Sequence, residues 1–377
     1  MMSTWTIRQP FLDGMAWISA FLGVMSLLAV AAFHFPEVLT TPRLRQVYSE
    51  NQVRTLLYAG MILASLLAPI ALAFSNRKRL ALLGMACVLL AWLAGGADVS
   101  YGGLVRDSRF YISLDWVLLD LVLIATLFIN VELFFRLKKK QGILRRGWQV
   151  DLAHYVVNHI FNGGLVFLLF LPAQWFETAF SLRSMQSFFS DLPLLAQVFL
   201  IMLVTDLAQY WVHRAFHKVP FLWRFHRIHH SVEKMDWLAG SRLHIVDVIA
   251  TRSLSLVPMV FLGFSVEAIN IYLPILALQS VFIHCNLEFE MAWLQKVVTT
   301  PKYHHWHHTS DVGHLDKNFA ISLPLLDLLF GTYYSPRGKW PGNYGLAGDK
   351  LEERYIAHFL APFTNTRRKD DPDNQPG

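Results

Sequence analysis

Residues 213–230 read HRAFHKVPFLWRFHRIHH, and residues 304–308 read HHWHH. The chain contains sixteen histidines, and nine of them lie in these two windows. Residues three or four positions apart lie on the same side of an α-helix. Three groups of histidines have this spacing, so each group directs two or three imidazoles the same way: His213 and His217; His226, His229 and His230; and His304, His307 and His308.

This concentration of imidazole predicts a metal centre. Eight nitrogen ligands exceed the four that one zinc ion takes, and they suit two metal ions with positions left for an oxygen ligand. Imidazole binds iron, zinc, copper and nickel, so the ligand type alone leaves the metal open. Cys87 and Cys285 are the only cysteines and cannot build a thiolate cluster. The H-E-x-x-H motif of zinc proteases and an HPGG-like haem-binding stretch are absent.

The composition predicts an integral membrane protein. Of the 377 residues, 54% are hydrophobic and only 16% are charged, whereas soluble domains carry about 25% charged residues. The mean hydropathy is +0.37. The net charge of +6 comes from short basic loops between apolar runs, which is typical of membrane orientation and not of nucleic-acid binding.

The apolar runs predict the membrane topology. A spanning helix needs about 20 apolar residues, and a further region, 246–284, contains two prolines and predicts a helical hairpin. The basic loops 76–79 and 136–146 are two crossings apart, which places both of them, and the histidines after residue 211, on the cytosolic face. The N-terminus lacks a basic segment and a cleavage site, so we expect the first run to be retained. The predicted spans are 13–33, 55–74, 80–97, 112–135, 156–176 and 192–211.

Histidines outside the three groups receive separate predictions. His244 and His284 flank the apolar hairpin, where an unpartnered polar ring is costly, so each is predicted either to complete a coordination shell or to act beside the ligands, and the ligand role is favoured. His305 breaks the helical face of its group and is as readily a spectator as a ligand. Five others are expected to be satisfied polar side chains or interfacial anchors: His34, His154, His159, His314 and His358.

The sequence around these histidines resembles the fatty acid hydroxylase/sterol desaturase superfamily of membrane non-haem di-iron enzymes. The resemblance covers about residues 150–335 and includes DLAQYWVHRAFH (206–217), HRIHHS (226–231), RLH (242–244), HCN (284–286), PKYHHWHH (301–308), DKNFA (316–320) and LDLLFGTYY (326–334). It implies an all-α, polytopic membrane bundle with a cytosolic helical cap that holds two irons. The eight grouped histidines would be the ligands, and many members keep further histidines at the positions of His244 and His284. Ile245 departs from the common proline, and DKNFA from the commoner DKNYG.

Three polar residues are predicted to act beside the ligands. Asp206, Asp316 and Asn318 would orient the ligand rings, the last two on the strength of the resemblance, and Asp311 is a further candidate. The alternative role for these residues is the capping of nearby helix ends.

The resemblance implies O₂-dependent hydroxylation or desaturation of a lipid. The sequence contains no flavin, nicotinamide or iron–sulfur motif, so a separate reductase with cytochrome b5, ferredoxin or rubredoxin would supply electrons. Zinc outcompetes Fe²⁺ for most nitrogen sites, so a purified preparation can contain zinc. We expect three regions: transmembrane helices of unknown role at 1–145, the catalytic domain at 146–340 and a polar tail at 341–377.

Other functions are weighed against a lipid hydroxylase. A desaturase would use the same centre. A metal transporter would place polar residues near the bilayer midplane, whereas these histidines gather at the ends of spans. A structural zinc site is four-coordinate and would leave half of the histidines unexplained. The sequence leaves open the substrate and the oligomeric state, and the absence of a retention signal and of a fused electron-transfer domain favours a bacterial inner membrane.

Overall fold

The structure is a computed structural model that describes residues 5–47, 49–99, 111–160, 183–290 and 293–364. Regular structure in these ranges is helical, as the sequence predicts. Extended segments in the same ranges pair only in the isolated bridges Arg136–Leu287 and Thr309–Tyr344. The chain divides into two compact units, 1–120 and 121–377. The boundary expected at residue 145 stays a prediction.

The first unit is built from three long apolar helices. They are α1 (Trp5–His34), α2 (Glu50–Phe74) and α3 (Lys78–Leu93). Alanines fill their contacts, since Ala16, Ala71 and Ala81 are fully buried. Small residues let helix backbones approach closely, which is how apolar helices pack without a hydrophobic driving force in lipid. The shorter helices of this unit are Pro36–Leu39, Pro42–Arg45 and Gly96–Asp98.

The fourth long helix, α4 (Leu114–Phe134), contains the division between the units. Residues 148–160 are helical and belong to the second unit. The span predicted over 156–176 falls mostly on residues 161–182, outside the described residues. Five described helices are long and apolar enough to cross a membrane: Phe11–His34, Glu50–Phe74, Lys78–Asp98, Leu114–Phe134 and Leu194–Lys218. The chain is therefore an integral membrane protein.

Helices of the second unit bring distant parts of the sequence together. They are α5 (Leu194–Lys218), α6 (Pro220–His230), α7 (Ile245–Phe261), α8 (Val266–Phe282) and α9 (Pro301–His307). The predicted hairpin over 246–284 is confirmed as α7 and α8. Both helices pack on α5 around Ile201, Met259 and Tyr272. Shorter helices are Arg183–Ser190, Ala239–Ser241, Leu294–Lys296, Val312–His314, Leu325–Leu329, Tyr355–Leu360 and Ala361–Phe363.

Part of the predicted polar tail is packed on the second unit. Residues 355–360 form a helix, His358 is fully buried, and the Phe363 ring contacts the Phe225 ring of α6. The segment RRKDDPDNQPG (367–377), predicted to lack structure, lies outside the described residues.

Candidate metal centre

The histidines that could hold metal lie at or near the ends of four helices. Two lie in the last two turns of α5, three in the second half of α6, one just after α8, and three in or directly after α9. Local sequence fixes where these helices begin. Pro220 and Pro301 occupy the first helical positions, where a missing N–H costs nothing. The Thr300 hydroxyl accepts a hydrogen bond from the Tyr303 amide and caps α9.

Nine histidines form two buried groups. The ligand nitrogens within each group lie within 4.8 Å of one another. Group A consists of His213, His217, His226, His230 and His307, and group B of His229, His284, His304 and His308. The structure thus brings together nine of the ten predicted ligands, including His284.

Each histidine triplet of the sequence is divided between the two groups. On α6 the i, i+4 pair His226 and His230 enters group A, whereas His229 enters group B. On α9 the i, i+4 pair His304 and His308 enters group B, whereas His307 enters group A. Relative to a given residue of a helix, the residues three and four positions further on point in directions about 100° apart around the helix axis. One triplet can therefore serve two adjacent metal positions.

Hydrogen bonds to the ring Nδ1 atoms define which nitrogen faces the interior of group A. His213 Nδ1 lies 2.8 Å from the Phe319 carbonyl, and His307 Nδ1 lies 2.8 Å from the Lys317 carbonyl. A carbonyl oxygen only accepts, so each Nδ1 carries the proton and each neutral ring presents the Nε2 lone pair. The Nε2 atoms of His217, His230 and His307 are buried without a hydrogen-bond partner. The Nε2 atoms of His213 and His226 face each other at 3.1 Å.

Group B likewise directs ring Nε2 atoms at one another, with four rings instead of five. His229 Nδ1 donates to the Arg242 carbonyl at 3.2 Å, and His284 Nδ1 donates to the Ser280 carbonyl at 2.7 Å. The two Nε2 atoms of these rings lie 3.3 Å apart. His304 Nε2 lies 3.1 Å from both His284 Nε2 and His308 Nε2.

These contacts fit metal binding. Facing lone pairs and buried, unpartnered ring nitrogens are unfavourable in an apolar interior unless a cation lies between them. Soft or borderline divalent ions that accept imidazole nitrogen satisfy this donor set, whereas Mg²⁺ and Ca²⁺ prefer oxygen. The two groups are therefore candidate metal sites.

Burial keeps the rings in their ligating form. It lowers the pKa of His307 to about 3 and that of His284 to about 4. Burial, together with repulsion between neighbouring rings, also holds the pKa values of His229, His230, His304 and His308 well below the ordinary value. Since only neutral imidazole binds a metal, the rings need not lose a proton first at neutral pH.

The loop 316–320 orients three rings of group A. Asp316 and Asn318 have φ values of 58° and 60°, the left-handed region that Asp and Asn tolerate better than most residues. The Asp316 carboxylate accepts from His217 Nδ1 at 3.1 Å and from the Lys218 ammonium at 2.8 Å. The carbonyls of Lys317 and Phe319 accept from the two rings named above. The Asp316 carboxylate thus contacts a ring of group A, and its role beside a bound metal stays a prediction.

Asn318 supports this loop and contacts no histidine ring in the structure. Its amide nitrogen donates to the carbonyls of Tyr303 and Tyr334 at 2.9 and 2.6 Å, and its oxygen accepts from the Tyr334 amide at 2.7 Å. The prediction that Asn318 orients a ligand ring directly is therefore wrong for this structure, because all three bonds go to backbone atoms. The residue acts one step further from the metal.

Asp206 also differs from its predicted role. Its carboxylate accepts from the backbone amides of Ile321 and Ser322 at 3.1 Å each, and from that of Leu323 at 2.7 Å. These bonds fix the segment after the loop 316–320 to α5. All three come from backbone amides, and none comes from a histidine ring. Asp206 thus binds backbone that precedes the helix Leu325–Leu329, which is neither the predicted contact with a ring nor the alternative role of capping a helix end. Asp311 caps its own turn, accepting from the Gly313 amide at 3.2 Å and from His314 Nδ1 at 2.8 Å.

His244 lies outside both groups, so the prediction that it is a ligand does not match the structure. Its Nδ1 accepts from the Val246 amide at 3.1 Å and caps α7, and its Nε2 donates to the Phe359 carbonyl at 3.1 Å. Both ring nitrogens are thus already used. His305 is a spectator, since it contacts the Tyr344 hydroxyl and the Cys285 carbonyl.

Asp247 is an orienting residue that sequence reasoning did not assign. Its Oδ2 accepts from His226 Nδ1 at 2.7 Å, and the side chain is fully buried in the first turn of α7. An acid at the start of an apolar hairpin is costly without a partner. This cost indicates in the sequence that Asp247 needs a partner, but it does not identify His226, which lies 21 positions away.

A buried ion-pair network lies behind group B. Arg145 pairs with Asp151 and Asp236, and Arg242 pairs with the other oxygen of Asp151. The Arg242 carbonyl accepts from His229. Asp236 Oδ1 also accepts from the amides of residues 238 and 239. The network therefore holds backbone that contacts group B, while its two positive and two negative charges balance.

Comparison with known proteins agrees with this site. Residues 198–332 match the family model for fatty acid hydroxylase. The chain is 28% identical to an ornithine lipid hydroxylase from Rhizobium tropici over 178 residues, 47% of this chain and 54% of that protein. It is 29% identical to an alkylglycerol monooxygenase from Danio rerio over 134 residues, 36% of this chain and 30% of that protein. The chain thus spans about half or less of these relatives, and no solved structure matches it.

The matched segment includes all nine histidines of groups A and B, together with Asp247 and the loop 316–320. Residues 198–332 are therefore similar to a fatty acid hydroxylase domain, and this similarity supports the resemblance to the fatty acid hydroxylase/sterol desaturase superfamily.

Proposed function

We propose that the protein is an O₂-dependent lipid hydroxylase that uses two iron ions, one in each histidine group. The observation that carries the proposal is the pair of buried groups, whose nine imidazoles lie in or beside four helices, one of which is a candidate membrane span. Two bound irons would supply the oxidant for an unactivated C–H bond, a reaction that side chains alone cannot perform. The relatives, named as hydroxylases and monooxygenases of lipids, support this reaction type.

The chain's own residues would bind, orient and shield the metal ions. The nine rings supply nitrogen ligands, and Asp316, Asp247 and the loop carbonyls fix the ring orientations. Burial excludes water that would quench a strong oxidant. His213 and His217 belong to the last two turns of α5, one of the candidate membrane spans. A lipid chain lying beside that span would reach the metal ions without leaving the bilayer.

Electrons would come from a separate protein. A reductase with cytochrome b5, ferredoxin or rubredoxin fits this need, and the basic loop 136–146 supports a cytosolic face for the site. A bacterial inner membrane is the proposed location. Ornithine lipids and alkylglycerols are the first substrates to test, since the relatives are named for them.

The test is metal content in detergent after expression with iron. His229→Ala and His307→Ala each remove one ligand, from group B and group A respectively. We expect two metal ions per chain in the wild type and fewer than one in the double variant. His314→Ala is the control, because this partly exposed ring belongs to neither group; it pairs with Asp311 and contacts the rings of Trp306 and Tyr334. One zinc per chain that survives the double variant would contradict the proposal.

Lipid analysis under ¹⁸O₂ distinguishes the reaction types. A hydroxylase adds one labelled oxygen atom to a lipid in cells that express the wild type, and the double variant adds none. A product lighter by two hydrogens and free of label would identify a desaturase on the same metal site.

A further inference from the structure

The two histidine groups differ in what accepts the ring Nδ1 protons. In group A, His217 donates to the carboxylate of Asp316 and His226 donates to that of Asp247, while two other rings donate to carbonyls. In group B, two rings donate to carbonyls, and the Nδ1 atoms of His304 and His308 are buried without a partner. Among the described residues, only group A has carboxylates on its rings.

Asp247 contributes most to this difference. Its side chain is fully buried, and its Oδ1 has no hydrogen-bond partner. Asp316, by contrast, is one quarter exposed and shares its charge with Lys218. A buried carboxylate with an unpaired oxygen is stabilised by nearby positive charge. Because Asp247 accepts from the His226 ring, whose other nitrogen faces the interior of group A, it favours a cation in that group.

A carboxylate acceptor makes an imidazole a stronger metal ligand. It holds the ring in one orientation and raises the electron density on the opposite nitrogen. Group A also has five rings against four in group B. The ion-pair network behind group B carries no net charge of its own, because its two arginines and two aspartates balance.

From this asymmetry we propose that group A is the high-affinity metal position, filled first, and that group B is the weaker position from which metal exchanges. Asp247 is the positioning residue that produces the difference through the ring of His226. This inference rests on the proposed dimetal function and adds an order of loading and an unequal affinity to it.

The test titrates metal-free protein in detergent with Zn²⁺, and with Fe²⁺ under anaerobic conditions, against a competing chelator. The wild type should bind one ion tightly and a second at least tenfold more weakly. Asp247→Asn keeps an oxygen that can accept from His226 but removes the charge. Loss of such a partner typically costs 10–100-fold in metal affinity, so this variant should weaken the tight step by about that factor.

Two further variants separate the groups. A Cβ atom at Gly240 would lie 2.8 Å from His284 Nδ1, so Gly240→Ala displaces this ring and should weaken only the second step. Asp316→Asn should weaken the first step less than Asp247→Asn does, because Lys218 shares the Asp316 carboxylate. Asp311→Asn removes an equal charge at an exposed site and should change neither step.

The outcomes distinguish this inference from the function on which it rests. Two ions of equal affinity, or an unchanged tight step in Asp247→Asn, would overturn the asymmetry and leave the dimetal function standing. A wild type that binds neither ion would overturn both. A tight step that weakens in Gly240→Ala but not in Asp247→Asn would reverse the assignment of the two positions.

Discussion

The two units of the chain use opposite kinds of buried residue. The first unit packs α1, α2 and α3 through alanine and glycine, and its one histidine, His34, is exposed and bonds the Ala94 carbonyl. The second unit buries histidines, aspartates and arginines in numbers unusual for any protein interior. Apolar helices can pack through many similar small side chains, whereas a buried polar site requires a hydrogen-bond partner or a ligand for each polar atom.

The stability of the first unit therefore depends on close approach between helix backbones, and that of the second unit depends on buried hydrogen bonds. A Cβ atom at Gly23 would overlap the Gly84 carbonyl oxygen, and one at Gly84 would lie 2.6 Å from Ser19 backbone atoms. Those contacts show how closely α1 and α3 approach. In the second unit, Asp327 alone accepts four hydrogen bonds from three parts of the chain.

The largest effect is expected from Asp327→Ala. The carboxylate accepts from the amides of Phe319 and Ala320 at 2.8 Å and from the hydroxyls of Tyr303 and Thr332 at 2.6 Å. Each buried donor left unpaired costs about 1–3 kcal/mol, so the loss should reach at least ~3 kcal/mol. Thermal unfolding in detergent should show this loss together with a lower metal content, because the loop 316–320 would no longer be held.

Asp311→Ala is the matched control for this variant. Its carboxylate is more than half exposed and bonds only its own turn, so we expect a loss of about 0.5–2 kcal/mol, the usual cost of removing a cap. Equal effects of the two variants would contradict the importance given to buried hydrogen bonds in the second unit.

An intermediate effect is expected from Gly84→Ala in the first unit. The new methyl group would meet α1 backbone, which cannot move aside as a side chain can. Overpacking of this kind costs about 1–3 kcal/mol. Differential scanning in detergent, with metal content measured in parallel, should show lower stability at an unchanged metal content.

Gly14→Ala tests the same change where space is open. No atom lies within 4 Å of the new Cβ position in α1, and alanine favours a helix over glycine by about 1 kcal/mol. This variant should be as stable as the wild type or more stable. A loss of metal in Gly84→Ala would show that the chemistry of the second unit depends on the packing of the first.

The smallest effect concerns pH and lies in the second unit. His154 Nε2 lies 3.2 Å from His358 Nδ1, and burial lowers the pKa of each ring to about 3. The unfolded chain, with an ordinary histidine pKa of about 6.5, binds protons that the folded chain excludes. Stability should therefore fall as the pH drops below about 6.5 and continue to fall toward about 3.

The size of this effect should be about 1 kcal/mol per ring between pH 6.5 and 5.5. Urea unfolding across this range should give a shallower pH dependence for the double variant His154→Phe, His358→Phe than for the wild type. The slope, and not the absolute stability, is the readout. An identical slope in both proteins would contradict the burial of these rings as neutral species.

Much of the helical structure of the described residues follows from sequence pattern. Apolar length predicts the five described spans, Pro258 and Pro274 do not prevent the hairpin, and the spacing of histidines on α5, α6 and α9 identifies eight of the nine grouped rings. These successes share one cause. Hydropathy and helical spacing are local properties, and a helix fixes the relative directions of residues three and four apart whatever surrounds it.

The sequence by itself determined the membrane character, the helices and the residue types of a metal centre. Tertiary structure alone decided which ring joins which metal position, because that depends on how α6 and α9 face each other. It also decided that His244 lies outside the two groups and that Asp247 contacts a ring of group A. Asn318 and Asp206 bond backbone atoms and not histidine rings. These assignments depend on hydrogen bonds between residues far apart in the chain, and no local spacing specifies such a partner.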